Sequence, residues 1–141
     1  MTITANRYHD ISCGHRVVGH ESKCAHLHGH NYRVHFHVSS ARLDDVGRVI
    51  DFSVIKAILC QWLEDSWDHK MLIWEKDPML ETLVDLDPDG IRITVFNPTA
   101  ENMAAYLVDD MAPRLLPEFV KLVKCTIEET RKCSVTYELT R

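Results

Sequence analysis

From Asn31 to Leu43 apolar and polar positions alternate, with Tyr32, Val34, Phe36 and Val38 on one face and Arg33, His35 and His37 on the other. Period-two alternation marks a strand with one face buried, so a strand is predicted over 31–43. Residues 3–12 alternate more weakly, with Ile3, Ala5 and Ile11 as the apolar positions, and give a first strand. The stretch 14–29 between them is polar and glycine-punctuated, and reads as a loop. Loops of that length in compact domains usually serve function. A turn follows at 44–47, and then the period changes. Val54, Ile55, Ile58, Leu59, Trp62 and Leu63 recur at helical spacing, predicting a helix over 52–66 that Asp51 or Ser53 could cap.

Residues 68–78 read as irregular, and 91–96 as a short strand. The run NPTAENMAAYLVDDMAP opens a second helix, with Thr99 as N-cap, Glu101 favourable in the first turn and Pro113 closing it. Its face of Ala100, Met103, Ala104, Leu107, Val108 and Met111 reads as core packing. Residues 119–130 and 132–139 form an antiparallel pair joined by a tight turn. The order strand, strand, helix, small strand, helix, strand, strand predicts an α+β fold, an antiparallel sheet backed by two helices. No repeat or linker divides the chain, so 1–141 reads as one domain.

Composition narrows the function. The chain has 141 residues, 45% apolar and 26% charged, with a formal net charge of −5. That balance suits a soluble globular protein and argues against a nucleic-acid groove, which needs clustered Lys and Arg. No apolar run reaches the ~20 residues of a membrane span, and MTITANRYHD carries no apolar signal core. Five cysteines without a regular framework suggest reduced thiols in the cytoplasm. Cys60 reads as a packing residue, and Cys125 and Cys133 as neighbours on opposing strands without a bond. DLDPDG (85–90) mimics the start of a calcium loop, but Phe96 stands where that loop needs Glu and Pro88 intrudes, so it reads as an acidic turn.

Histidine is the unusual component: nine in all, five of them between residues 26 and 37. In CAHLHGH (24–30), His28 and His30 share parity and can grip one ion from a single strand end. A catalytic zinc site needs a third protein ligand and an open fourth position. His15 is the best distant donor, with His26 and Cys13 as competitors. The alternative is a set of surface imidazoles on a polar loop. Cys24 follows Lys23 and stands beside this cluster, and neighbouring cations favour the thiolate, the nucleophilic and basic form. It could equally be a fourth ligand or an inert loop thiol. Asp68–His69 has the make-up of an oriented acid–base pair, or of a turn with a solvated histidine. Glu129, in TIEET, is either an edge charge or a carboxylate that reads paired N–H donors on a heterocycle.

CAHLHGHNY, WDHKML, NPTAEN and EET in this order resemble the 6-pyruvoyl-tetrahydropterin synthase / 6-carboxy-tetrahydropterin synthase family, over nearly the whole chain. Cys24, four residues before His28, resembles the spacing of the 6-carboxy branch. The resemblance implies a tunnelling fold: an antiparallel four-stranded sheet with two helices on one face, closed into a barrel by oligomerisation. It further implies a homohexamer, a dimer of trimers, with active sites at subunit interfaces. It assigns zinc to His15, His28 and His30, catalysis to Cys24, Asp68 and His69, and pterin binding to Glu129 and Thr99. His26 matches no ligand. The implied activity is that of a cytoplasmic lyase. It takes 7,8-dihydroneopterin triphosphate to 6-carboxy-5,6,7,8-tetrahydropterin, releasing acetaldehyde and triphosphate, toward queuosine. Partners would be the pterin triphosphate and other copies of the chain, with no nucleic acid and no membrane. The chain departs from the family pattern at Cys13–Gly14, at Ile73 after Leu72, and in a longer segment over 74–90.

Overall fold

The computed structural model describes residues 2–140. Strand β1 (Thr4–His15) pairs antiparallel with β2 (His28–Ser40) along their whole lengths. The alternation that marked β2 has its expected consequence: Tyr32, Val34, Phe36 and Val38 are fully buried. Each such side chain contributes about 1.5–3 kcal/mol by leaving water. Strand β5 (Val120–Glu128) pairs with β2, and β6 (Ser134–Glu138) with β5, both antiparallel.

Helix α1 spans 52–66, with its middle turn, Lys56–Cys60, wound as a π-helix. Asp51 caps it by accepting from the Ser53 N–H. Helix α3 spans 100–115 and begins at Thr99, whose hydroxyl accepts from the Asn102 N–H at 3.1 Å. Both helices pack on one face of the sheet, where Ile55, Leu59, Leu63, Met103, Leu107 and Met111 meet the inward side chains of β1, β2 and β5. Cys60 joins that core, as its place on the helix face suggested. Among the described residues no helix is long and apolar enough to cross a membrane.

Several expectations need correction. The four long antiparallel strands are present, but the described residues form a sheet of six, with the short strands β3 (Met71–Trp74) and β4 (Ile91–Thr94) added in the order β4-β3-β1-β2-β5-β6. Met71–Trp74, read as irregular, is β3, and it lies parallel to β1 and to β4 (Ile91–Thr94). The segment 74–90 contains a short helix, α2 (Leu80–Leu86). Helix α3 runs past Pro113 to Leu115, because the preceding π turn, Leu107–Met111, resets the hydrogen-bond pattern where proline has no N–H to give. Glu129 lies beyond the end of β5 in the hairpin turn, where its N–H donates to the Cys133 carbonyl. Cys133 is therefore an exposed turn residue, and the partner of Cys125 across the ladder is Tyr137.

Candidate metal centre and adjoining cleft

The β1–β2 register sets His15 opposite His28 and Cys13 opposite His30. All four share the parity of Ile11 and Tyr32, so the inward face of the sheet ends in imidazoles rather than apolar side chains. Gly29 faces Gly14 on the other side, and a Cβ on Gly29 would meet the Cys13 carbonyl oxygen at 3.2 Å. Glycine is needed there because the two backbones approach so closely.

The donor atoms of His15, His28 and His30 lie within 4.8 Å of one another, and the three can hold a metal ion. Their second ring nitrogens explain the orientation. His15 Nδ1–H donates to the Pro98 carbonyl at 2.5 Å, and His28 Nδ1–H to the His26 carbonyl at 2.8 Å. With those protons placed, each Nε2 presents a lone pair, and the two face one another at 3.0 Å. Two lone pairs cannot bond each other; a cation between them resolves the conflict. Buried His30 Nε2 has no hydrogen-bond partner among the described residues. Such an orphan fits a ligand atom. Burial pushes the His15 imidazole down to about 4, and burial also lowers His30, whose nearby Glu129 opposes the shift. Both are thereby kept in the neutral form that binds metals. Of the two competitors, His26 takes part through its carbonyl. Cys13 stays a protonated thiol, pushed up to about 12 by burial and then by the Asp68 charge.

The NPTAEN motif supports this centre through contacts that sequence reasoning missed. The Pro98 carbonyl orients His15. The Asn97 side chain accepts from the Val18 N–H at 3.0 Å and donates to the Val18 carbonyl at 2.9 Å, tying down the loop after β1. Asn102 donates to the Asn97 carbonyl at 2.9 Å. Thr99 serves as the cap of α3. The clue in the sequence was the pair of asparagines flanking a helix start, but the target of Asn97, 79 positions away, was not readable.

Asp68 and His69 are held by β1. The Ser12 N–H donates to Asp68 Oδ1 at 2.9 Å, and the His69 N–H donates to the Ser12 carbonyl at 2.6 Å. His69 Nδ1–H donates to Asp68 Oδ2 at 2.7 Å. His69 has a φ of 58°, the sole positive φ outside glycine among the described residues. Such backbone costs of order 1–3 kcal/mol and persists only where its surroundings impose it. Burial works against the Asp68 charge, but the Ser12 N–H and His69 hold its carboxyl below the usual range.

Glu129 Oε1 stands 3.6 Å from both His15 Nε2 and His30 Nε2. With His30, Asn31, Asp68, His69 and Arg131 it lines a cleft of about 890 Å³, large enough for a ligand of several hundred daltons. Cys24 lies outside that cleft, half-buried on a 3₁₀ turn, Lys23–Ala25. Burial, reinforced by the Glu129 charge, raises the Tyr32 phenol far above its usual value. The Tyr32 hydroxyl lies 3.3 Å from both His15 ring nitrogens.

A family model described as 6-pyruvoyl tetrahydropterin synthase matches residues 4–140. A 6-carboxy-5,6,7,8-tetrahydropterin synthase of Rickettsia typhi is 33% identical over 138 residues, covering 94% of this chain and 98% of its own. The enzyme of that name from Aquifex aeolicus is 33% identical over 125 residues, covering 83% of this chain and 76% of its own. Among solved structures, the 6-pyruvoyl tetrahydropterin synthase of Caenorhabditis elegans superposes with a TM-score of 0.70 at 25% identity, covering 99% of this chain and 97% of that one. One family model thus runs from the start of β1 past the end of β6, relatives agree with it along the same length, and the chain belongs to the 6-pyruvoyl tetrahydropterin synthase family.

Proposed function

We propose that this pterin enzyme converts 7,8-dihydroneopterin triphosphate and water to 6-carboxy-5,6,7,8-tetrahydropterin, acetaldehyde and triphosphate. It would be a zinc-dependent lyase serving deazapurine synthesis in the cytoplasm. The observation that carries the reading is the juxtaposition of a three-histidine centre, a carboxylate and an oriented Asp-His pair on one cleft. The names of the 6-carboxy relatives support the branch.

His15, His28 and His30 would hold the zinc with one position open, and when bound it supplies positive charge beside the substrate side-chain oxygens, acidifying the neighbouring C–H. The Cys24 thiolate accepts that proton. His69, oriented by Asp68, returns a proton to the pterin or its departing side chain. Glu129 accepts N–H bonds from the pterin and fixes its orientation, and Thr99 stands near the ring. Cys24 does not line the cleft that holds Asp68 and His69 of its own chain. A homohexamer with sites at subunit interfaces would bring the thiol of one copy to the dyad of another. Two short or unpaired edges, β4 and β6, favour closure of the sheet between copies. The whole chain acts as one domain, since one buried cluster joins all the long elements.

A second reading keeps the site and changes the product to the 6-pyruvoyl compound, after the name of the worm structure. Zinc-loaded and chelator-stripped protein, incubated with 7,8-dihydroneopterin triphosphate under reducing conditions, separates the two by product mass and ultraviolet spectrum. A 6-carboxy product with acetaldehyde, formed only by the loaded protein, is the expected result. A 6-pyruvoyl product selects the second reading. Untouched substrate with folded, zinc-replete protein refutes both.

A further inference from the structure

The turn that carries Cys24 has no buried residue, so apolar packing does not fix it. Hydrogen bonds do. The Val17 N–H donates to the Cys24 carbonyl at 2.9 Å, and the His28 ring donates to the His26 carbonyl. The carbonyl between them, Ala25, accepts from Arg16 Nη1 at 2.8 Å. The other arm of the same guanidinium, Nε, donates to Asp77 Oδ2 at 2.7 Å. The Asp77 side chain is wholly shielded from solvent, whereas that of Arg16 is 17% exposed. Asp77 is itself fixed. Its Oδ1 accepts from the Met79 N–H at 2.8 Å, its N–H donates to the Trp74 carbonyl, and its carbonyl accepts from the Leu80 N–H. A buried carboxylate at the base of the 74–90 segment therefore anchors the arginine that holds the residue after Cys24.

We propose that Arg16 and Asp77 are a positioning pair for the reaction, setting the Cys24 turn at its working place beside the histidine cluster. The inference rests on the reading of Cys24 as the proton acceptor. It assigns a task to the longer 74–90 segment, which delivers Asp77 from the loop between β3 and α2. The pair touches none of the three histidine donors. All three are seated on the β1–β2 ladder, and the Pro98 carbonyl that orients His15 lies outside the Cys24 turn. Loosening the clamp should displace the thiol and leave metal binding in place. Arginine is required because one planar group must reach two acceptors at a fixed angle, which the single ammonium of lysine cannot do.

Arg16→Lys and the isosteric Asp77→Asn, each in the full-length protein, test this by two independent readings. The first is steady-state kinetics with 7,8-dihydroneopterin triphosphate at measured zinc content. The second, made without substrate, is the iodoacetamide alkylation rate of Cys24, followed by peptide mass. Exposed Cys133 and buried Cys13 and Cys125 serve as internal references. Arg16→Lys should retain zinc and lower kcat roughly 10- to 100-fold with little change in KM, as expected for a misplaced catalytic group. Its Cys24 should alkylate several-fold faster while the references hold their rates. Asp77→Asn, which keeps one acceptor oxygen, should fall between parent and Arg16→Lys, and it decides the matter if Arg16→Lys does not fold. Parental kcat and parental Cys24 alkylation in a folded variant overturn the proposal, as does a rise at Cys13 and Cys125 equal to that at Cys24, which marks general loosening. A parent that leaves the substrate untouched, combined with selective exposure of Cys24 in the variants, upholds the clamp and removes the assigned reaction.

Discussion

Replacing Asp68 by Asn tests whether the dyad works by orienting a proton. Asp68 uses its two oxygens differently: Oδ1 accepts from the Ser12 N–H at 2.9 Å and Oδ2 from His69 Nδ1–H at 2.7 Å. Asparagine has the same shape and keeps an oxygen for Ser12, so the backbone contact with β1 survives. The amide nitrogen then faces His69 with an N–H, which forces the ring to turn a lone pair there and carry its proton on Nε2. The tautomer reverses, and the imidazolium loses its counter-charge. A hydrogen bond to a charged group contributes about 1.5–3 kcal/mol. The His69 side chain is 80% exposed, and solvent screening puts the loss at the low end of that range. At about 1.4 kcal/mol per factor of ten, kcat should fall roughly 10- to 30-fold. KM should stay within about twofold, since neither oxygen holds the substrate. The assay is steady-state kinetics at equal zinc content, with circular dichroism as a check on folding. A variant within about threefold of the parent kcat refutes the orienting role. The direction of the Asp68 shift adds a constraint. Its carboxyl ionises below the ordinary value, so its support is complete above about pH 4 and is lost only as the pH falls through the lowered value. Activity lost nearer neutrality has another origin.

Two further outcomes follow from the packing. Gly29→Ala places a Cβ 3.2 Å from the Cys13 carbonyl oxygen, and backbone cannot yield as a side-chain tip can. It should cost about 1–3 kcal/mol in overpacking and weaken metal binding, measured by competition with a chromophoric chelator; parental affinity would show that the strand crossing has slack. The thiols of Cys13 and Cys125 are each pushed up to about 12, chiefly by burial. The unfolded chain releases those protons near pH 8.5, so stability is full below that value and declines as the pH rises toward 12. Each thiol contributes a slope of about 1.4 kcal/mol per pH unit. Denaturant melts of Cys125→Ala and parent between pH 9 and 11 should show the variant with the shallower decline, and equal slopes would refute the burial argument.

The long elements were legible because each satisfies its own local rule. Tyr32 to Val38 alternate, and the apolar face of 52–66 repeats at helical spacing, so α1 lies where the pattern set it. Strand β2 lies three residues earlier, at His28–Ser40 instead of 31–43, since its first residues, two histidines and a glycine, carry no apolar alternation. The three histidines were legible for a related reason: strand parity relates His28 to His30, and residue chemistry limits what such a pair can serve. What escaped was whatever depends on a partner distant in sequence. Strand β3 has four residues, too few for a periodicity, and exists because the Lys70 carbonyl accepts from the Gly14 N–H and Met71 and Leu72 pair with the end of β1. The same pairing brings Asp68 and His69 to Ser12, and through the following loop brings Asp77 to Arg16, 61 positions earlier. These losses share one cause. A short parallel strand beside β1 organises the dyad and the clamp together, and neither asparagine nor aspartate announces a partner in the chain. Perturbing the β1–β3 pairing from the β3 side, for example by substituting Met71, whose tip fills the space beside Gly14, should therefore disturb Asp68, His69 and Arg16 together while sparing the β1–β2 ladder that carries the three histidines.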